Sequence, residues 1–199
     1  MPRGSDTRRR IIREALPLFA ERGFKGTTVA EIEAAAGLKA GSGALFAHFP
    51  TKEAVIEAAI EELASLNRQG QSLFDLARIG DLRAELTVFA RGALMGLDAN
   101  RDLVRLWLKE SDHFPDLRPL MEREVNRPAA AWMENYLRAK VKSGEMADHD
   151  CEAVGAIAVG GLTAWWLWGQ VAGDDGVSID EDRVVAGWVD LVMRLAAER

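Results

Sequence analysis

The sequence predicts an all-α fold, a compact N-terminal bundle of three helices followed by a larger helical unit. Three observations predict it. Apolar residues recur at helical spacing along most of the 199 residues, and no stretch alternates as a half-buried strand would. Helix-start signals stand ahead of the stripes at Thr28 with Glu31, at Thr51, and at Ser178 with Glu181. Glycine or proline punctuates them at Gly23, Gly37 and Pro50.

The first helix is expected to start at Ser5 or Asp6, with Ile12, Ala15, Leu16 and Phe19 on its inner face and Gly23 at its C-terminal end. Pro17 lies within it and should kink the axis. Thr28-Val29-Ala30-Glu31 reads as a capping box that opens a second helix, whose short inner face is Val29, Ile32 and Ala36. Gly37 ends it and permits a sharp turn. A third short helix is expected over Ser42–Phe49, broken by Pro50. Thr51 then caps a long helix carrying Val55, Ile56, Ala59, Ile60 and Leu63. Beyond it, helices are expected over about 81–98, 100–112, 116–143 with a kink near Pro128, 150–173 and 180–197. In the last, Val185, Trp188, Val192 and Leu195 form a stripe.

The segment 153–173 carries no charge and is long enough to span a bilayer. Its flanks are acidic (Asp148, Asp150, Glu152, then Asp174 and Asp175), with no nearby Lys or Arg to set an orientation. A buried helix at a dimer interface is therefore preferred to a membrane span. Ala156, Gly160 and Ala164 form a small-residue stripe along it that allows close helix packing.

Charge is distributed unevenly. Residues 1–55 hold nine Lys/Arg and six acidic residues, a net of +3, whereas the remainder carries −9. A basic head on an acidic body fits a chain of which only one end meets phosphate. Cys151 is the only cysteine, so no intrachain disulfide is possible, and the opening MPRGSDTRRR has no apolar core. A cytoplasmic location is expected.

Two short helices joined by a glycine-containing turn, with basic residues nearby, describe a helix-turn-helix, whose second helix enters the major groove. Here that is Thr28–Ala36, a turn, and Ser42–Phe49. The stretch TRRRIIREALPLFAERGFKGTTVAEIEAAAGLKAGSGALFAHFPTKEAVIEAAI resembles the N-terminal DNA-binding region of the tetracycline-repressor (TetR) family over about residues 7–60. LFAERGF, the Thr-Thr pair, the alanine-rich second helix, the alanine-glycine turn and the HFPTKEA junction carry the resemblance. It implies an all-α homodimer in which each subunit reads half of a pseudo-palindromic operator. It further implies that a small molecule in the C-terminal domain changes the spacing of the two heads.

Carried over by position, Thr28 and Lys52 would meet phosphate and His48 the DNA backbone. Two departures stand out. The Lys39-Ala40-Gly41-Ser42 turn is two residues longer than is usual in the family, and Phe46 stands where a tyrosine is usual. The residue chemistry points the same way. Small residues at 41–44 let the backbone approach a groove, Ser42 can hydrogen-bond base or phosphate, and Ala44 offers a methyl for thymine. The expected DNA-binding set is Thr28, Lys39, Ser42, Gly43, Ala44, Phe46, His48 and Lys52. The expected division is a DNA-binding domain over 1–55 and a ligand-binding and dimerisation domain over 56–199.

In the second domain Phe89, Met95, Trp107, Trp132 and Met133 are the expected cavity residues, because aromatic and flexible apolar side chains line pockets between bundle helices. Gly160, Ala164, Trp165, Trp166, Trp188 and Val192 are the expected dimer residues. The effector is expected to be partly apolar. No cofactor, metal or catalytic residue is expected. Asp148-His149-Asp150-Cys151 reads as a polar loop opening a helix, and Asp112-His113 as a helix end. A helical enzyme using the C-terminal pocket is the alternative function.

Overall fold

The computed structural model describes residues 3–77, 79–110, 116–172 and 179–197. Among them there is no strand. The elements are α1 (Arg3–Arg22), α2 (Val29–Ala35), a 3-10 turn (Ala44–Ala47), α3 (Glu53–Ala77), α4 (Leu82–Ala99), α5 (Arg101–Glu110), α6 (Leu117–Met121), a π-turn (Glu122–Asn126), α7 (Arg127–Ser143), α8 (Cys151–Ala172) and α9 (Glu181–Ala197). They form two compact units. The first comprises residues 1–66 and 100–125, the second 67–99 and 126–199.

In the first unit the expected apolar faces converge. Ile12, Ala15 and Phe19 of α1, Ile32 and Ala36 around α2, and Val55, Ile56, Ala59, Ile60 and Leu63 of α3 are all buried, joined by Leu45 and Phe49. The first unit also draws on the later chain. Leu103 and Leu106 of α5 and Leu117 and Met121 of α6 complete this core. α5 finishes the end of α1 as well. Lys109 Nζ donates to the Ala20 carbonyl at 2.8 Å, and the Phe24 amide donates to Glu110 Oε1 at 3.3 Å.

α1 begins at Arg3, ahead of Ser5, and runs as one helix through Pro17, which lies on its exposed side. The carbonyl that Pro17 leaves without a donor can be hydrated there. Gly23 follows in the left-handed conformation, φ 76°, and its amide closes the helix on the Phe19 carbonyl at 2.9 Å. Pro128 stands in the first turn of α7, where its missing N–H costs little, and the π-turn precedes it.

The second unit packs α8 against α7, α4 and α9. Gly155 marks the close approach of α8 to α7. A Cβ there would stand 3.0 Å from the Glu134 nitrogen. Trp166 donates to Asp98 Oδ1 at 2.9 Å, and Trp188 to the Ala158 carbonyl at 2.8 Å. α9 starts behind Asp180, whose carboxylate accepts the Arg183 amide at 2.8 Å. The expected cap Ser178, like Asp112 and His113, lies outside the described residues. Val185, Trp188 and Val192 are buried as expected; the Leu195 side chain lies outside the description.

Candidate functional site

The capping box at α2 is complete. The Glu31 amide donates to Thr28 Oγ1 at 3.2 Å, and the Thr28 amide to Glu31 Oε2 at 2.8 Å. The Thr28 hydroxyl also donates to that oxygen, and Arg22 holds the other at 2.7 Å. These bonds from Thr28, with the Arg22 charge, hold the Glu31 carboxyl below its ordinary value. Thr28 is exposed, but its hydroxyl is spent on the cap.

Lys52 points inward. Its Nζ donates to the carbonyls of Phe24 at 2.8 Å and Thr27 at 2.6 Å, and lies 4.2 Å from the Phe24 ring centroid. Burial pushes its pKa down despite the acids Glu53 and Glu31 nearby. Two of its three N–H bonds therefore tie down the turn before α2, leaving one for an anion. Within that turn Gly26 is obligatory on steric grounds. A Cβ there would fall well inside contact distance of the Arg22 carbonyl oxygen.

The segment expected as a third helix is only a single 3-10 turn. Gly37, Gly41 and Gly43 all take left-handed backbone, at φ 67°, 70° and 74°. An α-helix cannot run through such residues, so its start is delayed to Ala44 and Pro50 follows too soon for a second turn. Lys39 and Ser42 are exposed, and Phe46 is 54% exposed. Gly43, Ala44 and His48 are partly exposed. The Ser42 hydroxyl donates to the Lys39 carbonyl at 2.6 Å, so in this state it closes the turn rather than reaching outward. Arg8 donates to the His48 carbonyl at 3.0 Å while its guanidinium lies 4.2 Å from the Phe49 ring centroid.

Sequence reasoning missed Glu33. It is fully buried, and its two carboxylate oxygens accept the amides of Ser42 at 3.1 Å and Leu45 at 3.0 Å. The available signal was a lone carboxylate at helical spacing with Val29 and Ala36, on the inner face of α2.

In the second unit Phe89 and Trp132 come together. Their rings stack at 5.2 Å, and Trp132 also stacks on Tyr136 at 5.7 Å and meets Phe74 edge-on at 5.2 Å. Met133 is fully buried. The other two expected cavity residues lie elsewhere. Met95 is 69% exposed, and Trp107 fringes the core of the first unit. Beside the aromatic stack, the buried Glu85 accepts from Tyr136 Oη at 2.7 Å, Lys140 Nζ at 2.7 Å and the Gly80 amide at 3.0 Å. Burial raises the Glu85 pKa, but these three donors outweigh it and hold it below the ordinary value. Burial and the Glu85 carboxylate together push the Tyr136 hydroxyl far up. A small open pocket, about 180 Å³, is lined by Asp98, Trp165, Trp166, Gly169, Gln170 and Glu181. It is smaller than the roughly 300–1,000 Å³ usual for a ligand site.

The expected dimer residues do not share a face. Trp166, Trp188 and Val192 are buried within their own unit, whereas Gly160 and Ala164 are exposed and Trp165 is partly exposed. The exposed side of α8 also carries Ile157 at 68% and Trp168 at 63%. The span Cys151–Gln170 is long and apolar enough to cross a membrane by length and composition. Asp150 caps α8 by accepting the Ala153 amide at 3.1 Å, and burial pushes the Cys151 thiol pKa up, away from the thiolate form. No cluster of three metal-ligating side chains occurs among the described residues.

Comparison with known proteins places this architecture. The family model described as "Bacterial regulatory proteins, tetR family" matches residues 11–59, and "AefR-like transcriptional repressor, C-terminal domain" matches residues 84–195. The chain belongs to the TetR family. The HTH-type transcriptional repressor KstR2 of Rhodococcus jostii is 30% identical over 150 residues, covering 74% of this chain and 72% of that protein. A Mesorhizobium loti structure assigned to the TetR family superposes with a TM-score of 0.80 at 20% identity, over 99% of this chain and 98% of the other. AibR, solved with isovaleryl coenzyme A and operator DNA, gives a TM-score of 0.64 at 19% identity, over 93% and 97%. This TetR-family chain is a DNA-binding transcriptional regulator of the repressor type, with a helix-turn-helix head.

Proposed function

We propose that this TetR-family chain is a homodimeric repressor that binds a pseudo-palindromic operator and leaves it when a small molecule binds residues 56–199. Residues 1–55 are the reading domain. The observation that carries the reading is the outward-facing turn over 39–48. It is rich in left-handed glycine, bare of large side chains from Ala40 to Ala44, and carries an exposed Phe46. Such a surface suits close backbone approach to a groove, with Lys39 toward phosphate and Ala44 and Phe46 toward thymine methyls. Gly43 gives the turn its direction, and Ser42 reaches DNA by exchanging its bond to the Lys39 carbonyl. Lys52 contributes its third N–H to phosphate, with His48 beside it. Thr28 meets phosphate by exchanging Glu31 for it.

Two copies join through the exposed apolar side of α8, with Gly160 and Ala164 at its centre and Trp165 at its edge. The burial of Trp166 and Trp188 against Asp98 and the Ala158 carbonyl supports a protein-packed helix over a membrane span, and a cytoplasmic protein with it. The effector is a partly apolar molecule that parts the Phe89–Trp132 stack, with the buried Met133 giving way beside it. The acyl coenzyme A bound by AibR supports that chemistry. The effector shifts the equilibrium only by binding the DNA-incompetent state more tightly.

The test is selection of duplexes from a random pool, followed by footprinting. A symmetric footprint with half-sites about one helical turn apart, or a multiple of that, is expected. Binding should weaken steeply with salt. Lys52→Ala and Thr28→Ala should abolish binding. Because both side chains also hold the start of α2, the fold of each variant is checked by circular dichroism and its dimer by analytical ultracentrifugation before its affinity is read. Normal binding by both variants would refute the reading. Turnover of a small molecule without DNA binding would favour the alternative, a helical enzyme.

A further inference from the structure

We infer that Glu33 is a positioning residue for operator recognition. Its buried carboxylate sets the path of the Ser42–Leu45 backbone, which carries the groove-facing side chains. The inference rests on the DNA-reading assignment above and concerns how that surface keeps its shape. The rest of the turn is held locally, by the Ser42 hydroxyl and amide on the Lys39 carbonyl at 2.6 and 3.2 Å and by the buried Leu45 and Phe49 side chains. Gly37, Gly41 and Gly43 are free of Cβ restraint, and the 3-10 segment is a single turn. Its first amides have no helical partner, as at any helix start. Among the described residues no local bond reaches the Leu45 amide, and none of these local bonds ties the turn to α2.

Glu33 supplies a fixed reference from α2. One carboxylate oxygen takes the Ser42 amide and the other takes the buried Leu45 amide, three residues on. An alanine at this position would favour the helix and avoid burying a carboxylate. It would also leave the Leu45 amide buried without an acceptor. The side chain touches no solvent, so it cannot meet DNA itself. Its action is on the geometry of the turn.

The test compares wild type, Glu33→Gln and Glu33→Ala. Affinities are measured for the duplex selected by the wild-type protein and for a mixed-sequence duplex of equal length, across a salt series. Glutamine keeps the size but opposes one amide with its own N–H. The variant is expected to lose about tenfold in the ratio of selected to mixed-sequence affinity. The salt slope should stay unchanged, because no phosphate contact is removed. Amide exchange at Ser42 and Leu45 should accelerate. In the wild-type protein, free of DNA, those two amides should exchange more slowly than Lys39 and Gly41. That measurement needs no variant to fold. Wild-type discrimination in a folded Glu33→Gln protein, or unprotected Ser42 and Leu45 amides in the wild type, would overturn the inference. If Lys52→Ala and Thr28→Ala also bind normally, it is the DNA-reading assignment that has failed.

Discussion

Each unit buries a glutamate, and the two are used in opposite ways. Glu33 in the first unit accepts two backbone amides of a glycine-rich turn. Glu85 in the second accepts two side chains, Tyr136 and Lys140, and one amide. Backbone partners fix the path of a surface that stays open, with small residues outward. Side-chain partners tie α4 to α7 beside a partly exposed aromatic stack. The difference teaches that the same buried charge can hold a turn in shape or lock two helices together. Which of these it does is decided by whether its donors belong to the main chain or to side chains.

Substitutions in the two units should therefore separate stability from reading. The largest stability effect is expected from Trp132→Ala, which removes the centre of the aromatic stack. A loss of about 3 kcal/mol is expected in denaturant titration, with the Ser42 and Leu45 amides of the folded protein exchanging as in the wild type. Faster exchange at those two amides would break the contrast.

Glu85→Gln should cost about 2 kcal/mol at neutral pH, and it should also alter the pH profile. The folded Glu85 pKa lies below its ordinary value of 4.5, so its stabilisation is present above that value and is lost as pH falls through the folded one. Although burial lowers the Lys140 pKa, its bonds to Glu85 and Glu145 raise it overall. Its contribution is present below the ordinary value of 10.5 and fades as pH rises past the folded one. Melting temperatures across pH should show both limbs in the wild type and a flattened acid limb in the variant.

Gly155→Ala should cost about 1–2 kcal/mol, because its Cβ meets the α7 backbone, which cannot swing aside. Gly160→Ala meets open space within the subunit. Any effect it has should appear in the dimer dissociation constant by analytical ultracentrifugation. The smallest stability effect belongs to Phe46→Ala. Within about 0.5 kcal/mol of wild type by thermal melting, it should nevertheless weaken binding of the selected duplex several-fold.

Most of the helices were legible in the sequence, because their apolar spacing and caps are local signals. Thr28 with Glu31 and the stripe from Val55 to Leu63 are examples. What escaped depends on partners distant in the chain. Nothing local marks α5 as the support for the end of α1, since Lys109 and Glu110 read as ordinary surface charges. The small-residue stripe on α8 was visible, yet the close approach to α7 uses Gly155, one position off that stripe. The position of the turn between α2 and α3 was legible from its glycines and from Pro50. Its collapse to one 3-10 turn was not, because the Glu33 carboxylate and the core it packs on come from residues outside the turn.

The most direct test of the account is amide exchange of the full chain with and without its selected duplex. New protection concentrated between Lys39 and Lys52, with the Phe89 and Trp132 helices unchanged, is the predicted result. Protection confined to other segments, with the 39–52 amides exchanging as in the free protein, would contradict it.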